Sequence, residues 1–205
     1  MQTDKKVLAF DLGNVLFSFD YTLALNKIKS RMKATIPEVI FSLYAKNFTI
    51  PFEKGLVSGP QFHQDFMREF GIKLSYPEFV DIWCKIFFPI PEVIDLVRKL
   101  KNKYPLYLIS NINQLHFQYL NCEYPDIFSL FNGLILSYAV KSVKPEKKIY
   151  QVLAEKAGVN FSDLVYIDDR QDLIDQAKEF QLNCILFKDC RQLLSDLEKI
   201  NIILG

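Results

Sequence analysis

The sequence predicts an α/β fold, a doubly wound parallel sheet with helices on both faces, interrupted near its start by an inserted helical bundle. Three observations carry this. From Pro91 onwards short apolar runs alternate with helix-length segments, the pattern of strands joined by helical crossovers. The run Val7-Leu8-Ala9-Phe10 reads as a buried strand. Between it and Pro91 no comparable strand occurs, and phenylalanine recurs at helical spacing instead.

In chain order, the first strand spans 7–10 and ends at Asp11-Leu12-Gly13-Asn14. The insertion follows, with Phe62, Phe66 and Phe70 four apart and Phe79 and Trp83 likewise, the spacing of one helix face turned into a bundle core. Gly55, Gly59 and Pro60 mark its helix breaks. Then come a helix over 92–103, a strand over 106–110, a helix over 113–120 and a strand over 133–137. A helix over 146–157, a strand over 164–168, a helix over 173–180, a strand over 183–187 and a helix over 191–200 complete the chain. Pro91-Glu92 and Pro145-Glu146 suit first helical turns, where proline loses no hydrogen bond and an acid meets the positive end of the dipole; Gly158 suits a helix end. The expected core is therefore 1–17 with 89–205, and the insertion 18–88.

Composition narrows the function. The 205 residues, half of them hydrophobic, suffice for one core and one subdomain. With 25 basic against 24 acidic residues, no overall charge attracts nucleic acid or an anionic membrane, so an anionic ligand must be held by a local site. The start of the chain lacks the apolar core of a signal peptide, and no run reaches the roughly 18 apolar residues that span a bilayer; a soluble, cytoplasmic protein is expected. Cys84, Cys122, Cys184 and Cys190 show no CxxC spacing and read as reduced structural thiols.

Four strands end in chemistry: the first at Asp11, the second at Ser110-Asn111, the third leading to Lys144-Pro145, and the fourth at Asp168-Asp169. In an open parallel sheet the loops at these ends form the ligand crevice. There Asp11 can act as a nucleophile that takes a phosphoryl group, giving an aspartyl-phosphate that water hydrolyses. Asp169, with Asp168 beside it, adds the oxygen ligands a magnesium ion requires. Lys144 holds phosphate and nucleophile by charge, while the Ser110 hydroxyl and the Asn111 backbone N–H donate to phosphoryl oxygens. Singly, each residue also suits a helix cap or a turn; together, in this order, coincidence is improbable.

The motifs FDLGNVLF, LISN, VKPEKKIY and YIDD resemble those of the haloacid dehalogenase-like (HAD) hydrolase superfamily, and the resemblance spans the whole chain. Within it, FDLGNVLFSFD, FEKG, SNINQLH and EYPDIF resemble the bacterial sugar-phosphate phosphatases typified by alpha-D-glucose-1-phosphate phosphatase. The resemblance implies a Rossmann-like core with a C1-type helical cap after the first strand, Mg2+, and hydrolysis of a small phosphate monoester. It implies Asp11 as nucleophile and metal ligand, the Gly13 carbonyl and Asp169 as further ligands, and Ser110, Asn111 and Lys144 as phosphate contacts. Two positions depart from the superfamily pattern. Gly13 stands where most of its phosphatases carry an acid that protonates the leaving group, a group worth about 10²- to 10⁴-fold in rate. The resembled group carries the same glycine, and an anomeric phosphate would need the acid least. Asp20 or Glu53 could supply a proton instead, and Glu53 and His116 are candidates for substrate contact. Leu173 replaces a metal-supporting polar residue, which predicts a looser magnesium site. His116 is expected on a helix surface and His63 in solvent. Two rival readings are a metal-independent haloacid dehalogenase, against which the Asp168-Asp169 pair argues, and a non-catalytic relative that binds a ligand or partner through its cap.

Overall fold

The computed structural model describes residues 6–203. The strands of the main sheet are β1 (Val7–Phe10), β4 (Leu106–Ser110), β5 (Gly133–Leu136), β6 (Leu164–Asp168) and β7 (Asn183–Leu186); β2 (Phe17–Phe19) and β3 (Phe87–Pro89) form a separate ribbon. The five strands lie in the order β5-β4-β1-β6-β7, and every pairing is parallel. β1 is central, Leu8 facing Leu106 on one neighbour and Val165 on the other.

Side-chain alternation along the strands sorts the core into two layers. Leu8, Phe10, Leu108 and Ile167 point to one face, where they meet Val97 of α6 (Pro91–Leu100) and Leu193 of α12 (Cys190–Lys199). Val7, Ala9, Ile109 and Tyr166 point to the other, against Ile149 of α10 (Lys147–Ala157) and Ile174 of α11 (Gln171–Glu179). All four residues of β1 are buried, which explains why that strand is a continuous apolar run. α7 (Gln114–Glu123), α8 (Pro125–Phe128) and α9 (Ser137–Val140) complete the core.

The insertion leaves through β2 and returns through β3, which pair antiparallel with Ser18 opposite Phe88. The sequence showed no strand here because three-residue runs are too short to display a period. Between them lie α1 (Tyr21–Ile28), α2 (Ile36–Tyr44), α3 (Ile50–Glu53), α4 (Gly59–Phe70) and α5 (Tyr76–Cys84). Their starts are written in the sequence: Thr35 and Glu38 form a reciprocal capping box, Ser58 and Ser75 accept from backbone N–H groups, and α2 to α5 each carry proline in the first turn. Phe62, Phe66, Phe70, Phe79 and Trp83 are all buried in a hydrophobic core of the insertion's own. Phe79 stacks on Trp83 at 5.5 Å, so the aromatic stripe is structural. No helix among the described residues is long and apolar enough to cross a membrane.

Small corrections fall at element ends. The third core strand stops at Leu136, and Ser137 already opens α9. His63 is half-buried, its Nε2 2.9 Å from the Leu74 carbonyl and its ring against Phe79, and is not a solvated residue.

Candidate active site

The strand order reverses between β1 and β6, since the chain moves outward to β4 and β5 on one side and to β7 on the other. At such a switch point the loops part and leave a crevice at the carboxyl ends of the strands. Asp11 follows β1 there and Asp168 closes β6. Ser110 ends β4, and Lys144 sits in the loop before α10. The crevice and the cap above it enclose a cavity of 710 Å³ whose wall includes Asp11, Gly13, Ser110, Asn111, Lys144 and Asp169. A second cavity, 390 Å³ between β7 and α12, shares no residue with it.

Lys144 is the hub. Its ammonium lies 2.7 Å from Asp11 Oδ1 and 2.6 Å from Asp168 Oδ2, and it is 3% exposed. Burial by itself would lower the Lys144 pKa, but the two carboxylates outweigh it and hold the ammonium above its ordinary value. Asp168 is fully buried and accepts three hydrogen bonds: the Tyr166 hydroxyl and Lys144 donate to Oδ2, and the Arg170 amide donates to Oδ1 at 2.9 Å. Burial, and then the charge of Asp168, keep Asp11 well above the usual carboxylate range, although Lys144 pulls it down. Two buried carboxylates against one ammonium leave the site short of positive charge.

A third carboxylate adds to that deficit. Oxygens of Asp11, Asp168 and Asp169 lie within 4.8 Å of one another. Asp169 is half-buried and held by Asn14 Nδ2 at 3.0 Å. Asn14 can present that amide because the turn after Gly13 places it in the left-handed region, φ 54°, which asparagine tolerates. Hard oxygen donors in this number, with three clustered carboxylates against the one buried ammonium, fit a magnesium ion.

The remaining expected residues divide. Asn111 does line the cavity, yet its side chain is committed: Oδ1 accepts from the Lys144 amide at 2.7 Å and Nδ2 donates to the Lys144 carbonyl at 3.0 Å. It positions the lysine loop. His116 is not on a helix surface but 3% exposed between core and cap. Nε2 is 3.1 Å from the Trp83 carbonyl and Nδ1 3.0 Å from Asn113 Nδ2, which assigns a neutral ring donating through Nε2 and accepting at Nδ1. Burial pushes its pKa down to about 3. Glu53, at the end of α3, lines the cavity from the cap side. Leu173 lines it too, 2% exposed, while Asp172 turns outward to pair with Arg170.

The sequence did not point to Tyr166, Asn14, Arg170 or Ser137. Tyr166 was legible in principle, because residues two apart on a strand share a face and Asp168 was already suspect. Ser137 was not: its hydroxyl accepts from Ile112 N at 2.9 Å and its proton faces the carbonyls of Glu53 at 2.7 Å and Ile112 at 3.0 Å, a junction of three distant segments.

Comparison with known proteins identifies relatives of the whole chain. A family model described as haloacid dehalogenase-like hydrolase matches residues 5–181. D-ribitol-5-phosphate phosphatase of Bacteroides thetaiotaomicron is 22% identical over 180 residues, covering 85% of this chain and 87% of that protein. A pyrimidine 5'-nucleotidase of Escherichia coli is 22% identical over 158 residues, covering 73% and 70%. Among solved structures, a HAD family enzyme from Bacteroides thetaiotaomicron superposes with a TM-score of 0.80 at 26% identity, over 90% of this chain and 94% of that one. An aspartate-to-alanine mutant of that enzyme, in complex with magnesium and inorganic phosphate, gives 0.76 at 26% identity, over 92% and 98%.

Proposed function

This chain belongs to the haloacid dehalogenase-like hydrolases, and we propose that within them it is a magnesium-dependent phosphomonoesterase acting on a small sugar or polyol phosphate. The observation that carries the reading is the buried Asp11–Lys144 pair, 2.7 Å apart, inside a cluster of three carboxylates at the switch point of the sheet. Lys144 keeps one Asp11 oxygen fixed, which aims the other at an incoming phosphorus. The same ammonium offers charge to the phosphoryl oxygens, and Ser110 adds a hydroxyl at the end of β4. Asp11 and Asp169, with the Gly13 carbonyl, would hold magnesium; Asp168 belongs to the same cluster, but its oxygens already accept protein hydrogen bonds. Bound there, the ion supplies the positive charge that offsets repulsion between a carboxylate and a phosphate dianion.

The rest of the cavity suits a polyhydroxylated leaving group. Tyr21, Tyr44 and Asn47 from the cap and Arg170 from the core line it, a mixture of aromatic faces and polar ends. The relative from Bacteroides thetaiotaomicron is named for ribitol 5-phosphate, a primary-alcohol ester, whereas the glycine at position 13 favours an anomeric one. A panel of sugar and polyol phosphates of both kinds, assayed with magnesium, tests the reading. Turnover should vanish on chelation and in Asp11→Asn. Hydrolysis that survives either treatment would replace the reading with metal-independent chemistry or a different nucleophile.

A further inference from the structure

An alkoxide leaving group needs a proton, and position 13 cannot deliver it. A Cβ on Gly13 would lie 2.9 Å from Phe19 Cε1, so a ring fills the space into which a side chain there would extend. Most of the other ionisable groups around the cavity are committed to ion pairs or to hydrogen bonds within the protein. Asp11 is tied to Lys144 and Asp169 to Asn14. Glu146 pairs with Lys54 and accepts from Ser142 Oγ at 2.8 Å. Both ring nitrogens of His116 are engaged, and burial leaves that ring without a proton to give. Burial raises the Tyr21 phenol well above 10 and raises Tyr44 too, so neither is a useful acid. Asp20 is exposed, spent on capping α1 through Thr22 N at 2.8 Å and Thr22 Oγ1 at 2.7 Å.

We propose that Glu53 is the acid that protonates the leaving oxygen and the base that then takes a proton from water. This rests on the phosphomonoesterase reading. Glu53 lines the same cavity as Asp11, and its segment is fixed to the core at three consecutive residues. Ser137 Oγ donates to the Glu53 carbonyl at 2.7 Å, Lys54 pairs with Glu146, and Lys141 Nζ donates to the Gly55 carbonyl at 2.6 Å. The segment that carries Glu53 is therefore anchored to the core although it belongs to the cap. Its surroundings suit a proton carrier: burial raises its pKa, opposed by the Thr49 hydroxyl and the charges of Arg170 and Lys144. Tyr21 from α1 and Tyr44 from α2 are also close enough to feel its charge.

The chemistry closes. Asp11 bonds to phosphorus, the bond from phosphorus to the substrate oxygen breaks, and that oxygen takes the Glu53 proton and leaves as the alcohol. Water then gives a proton to Glu53 as its oxygen bonds to phosphorus and the bond to Asp11 breaks. Inorganic phosphate departs and both carboxyl groups are restored.

The test is Glu53→Gln and Glu53→Asp in the magnesium-loaded enzyme, with a primary polyol phosphate and para-nitrophenyl phosphate as substrates. For Glu53→Gln, turnover of the polyol ester should fall about 10²- to 10⁴-fold. On the aryl ester the same variant should release nitrophenolate in a burst equal to the enzyme concentration, followed by a slow phase. Nitrophenolate leaves unaided, whereas the second step has lost its base. Glu53→Asp should recover part of the polyol activity. A raised KM with unchanged kcat would make Glu53 a substrate contact only, and equal losses on both esters without a burst would make it structural; either overturns the proposal. Wild-type enzyme inert towards both esters would remove the phosphomonoesterase reading, and this inference with it.

Discussion

At the scale of single residues the site is an exercise in burying charge. Lys144 neutralises parts of two carboxylates, and Asn111 grips its backbone on both sides, so charge and position are set by different residues. His116 shows the opposite solution, a titratable ring kept neutral. The folded ring has a pKa of about 3 against 6.5 when free, so below pH 6.5 the unfolded chain binds a proton that the folded one refuses. His116 thus costs nothing above pH 6.5, and its penalty grows as the pH falls from there towards 3, reaching about 2 kcal/mol at pH 5. His116→Gln, which cannot titrate, should flatten the acid limb of stability between pH 6.5 and 4, read from urea midpoints. Parallel limbs for variant and wild type would contradict the neutral assignment.

At the scale of elements, α3 is the shortest α-helix of the cap and the one that carries Glu53. Four residues cannot form a stable helix alone; tertiary hydrogen bonds from Ser137 and Lys141 hold this segment in place. Gly55 makes that possible, since its φ is +60° and a Cβ would come within 2.5 Å of the Tyr138 carbonyl. Gly55→Ala should lower stability by at least about 1–2 kcal/mol, the cost of an L side chain in the left-handed region. It should also raise KM for a cap-filling polyol phosphate more than for para-nitrophenyl phosphate, because the cap closes over the leaving group. Equal effects on the two esters would count against that division of labour. The helix starts of the cap were legible in the sequence because caps and first-turn prolines are local chemistry, as with Thr35 and Glu38. The β2–β3 ribbon was not, because a three-residue pairing depends on residues seventy positions apart, Ser18 and Phe88.

At the scale of the molecule, two hydrophobic cores meet along one cavity, and the metal joins chemistry to stability. A ligand that binds only the folded chain stabilises it by about 2.7 kcal/mol at a hundredfold excess over Kd. In a chain of this size that corresponds to a rise in Tm of about 5–10 °C. Magnesium should therefore shift the thermal transition of the wild type, and Asp169→Ala should lose the shift. An undiminished response in that variant would remove Asp169 from the ligand set. Leu173 lines the cavity with an apolar side chain where a polar one would support a metal ligand, so a modest magnesium affinity is expected. What the sequence by itself determined was the order of apolar strands and the acid, hydroxyl or amine that follows each, because periodicity and side-chain chemistry are local properties. The burial of His116, the hydrogen bonds on Asp168 and the anchoring of the segment that carries Glu53 were decided only in the folded molecule, because burial and hydrogen-bond partners are set by segments that the chain brings together from far apart.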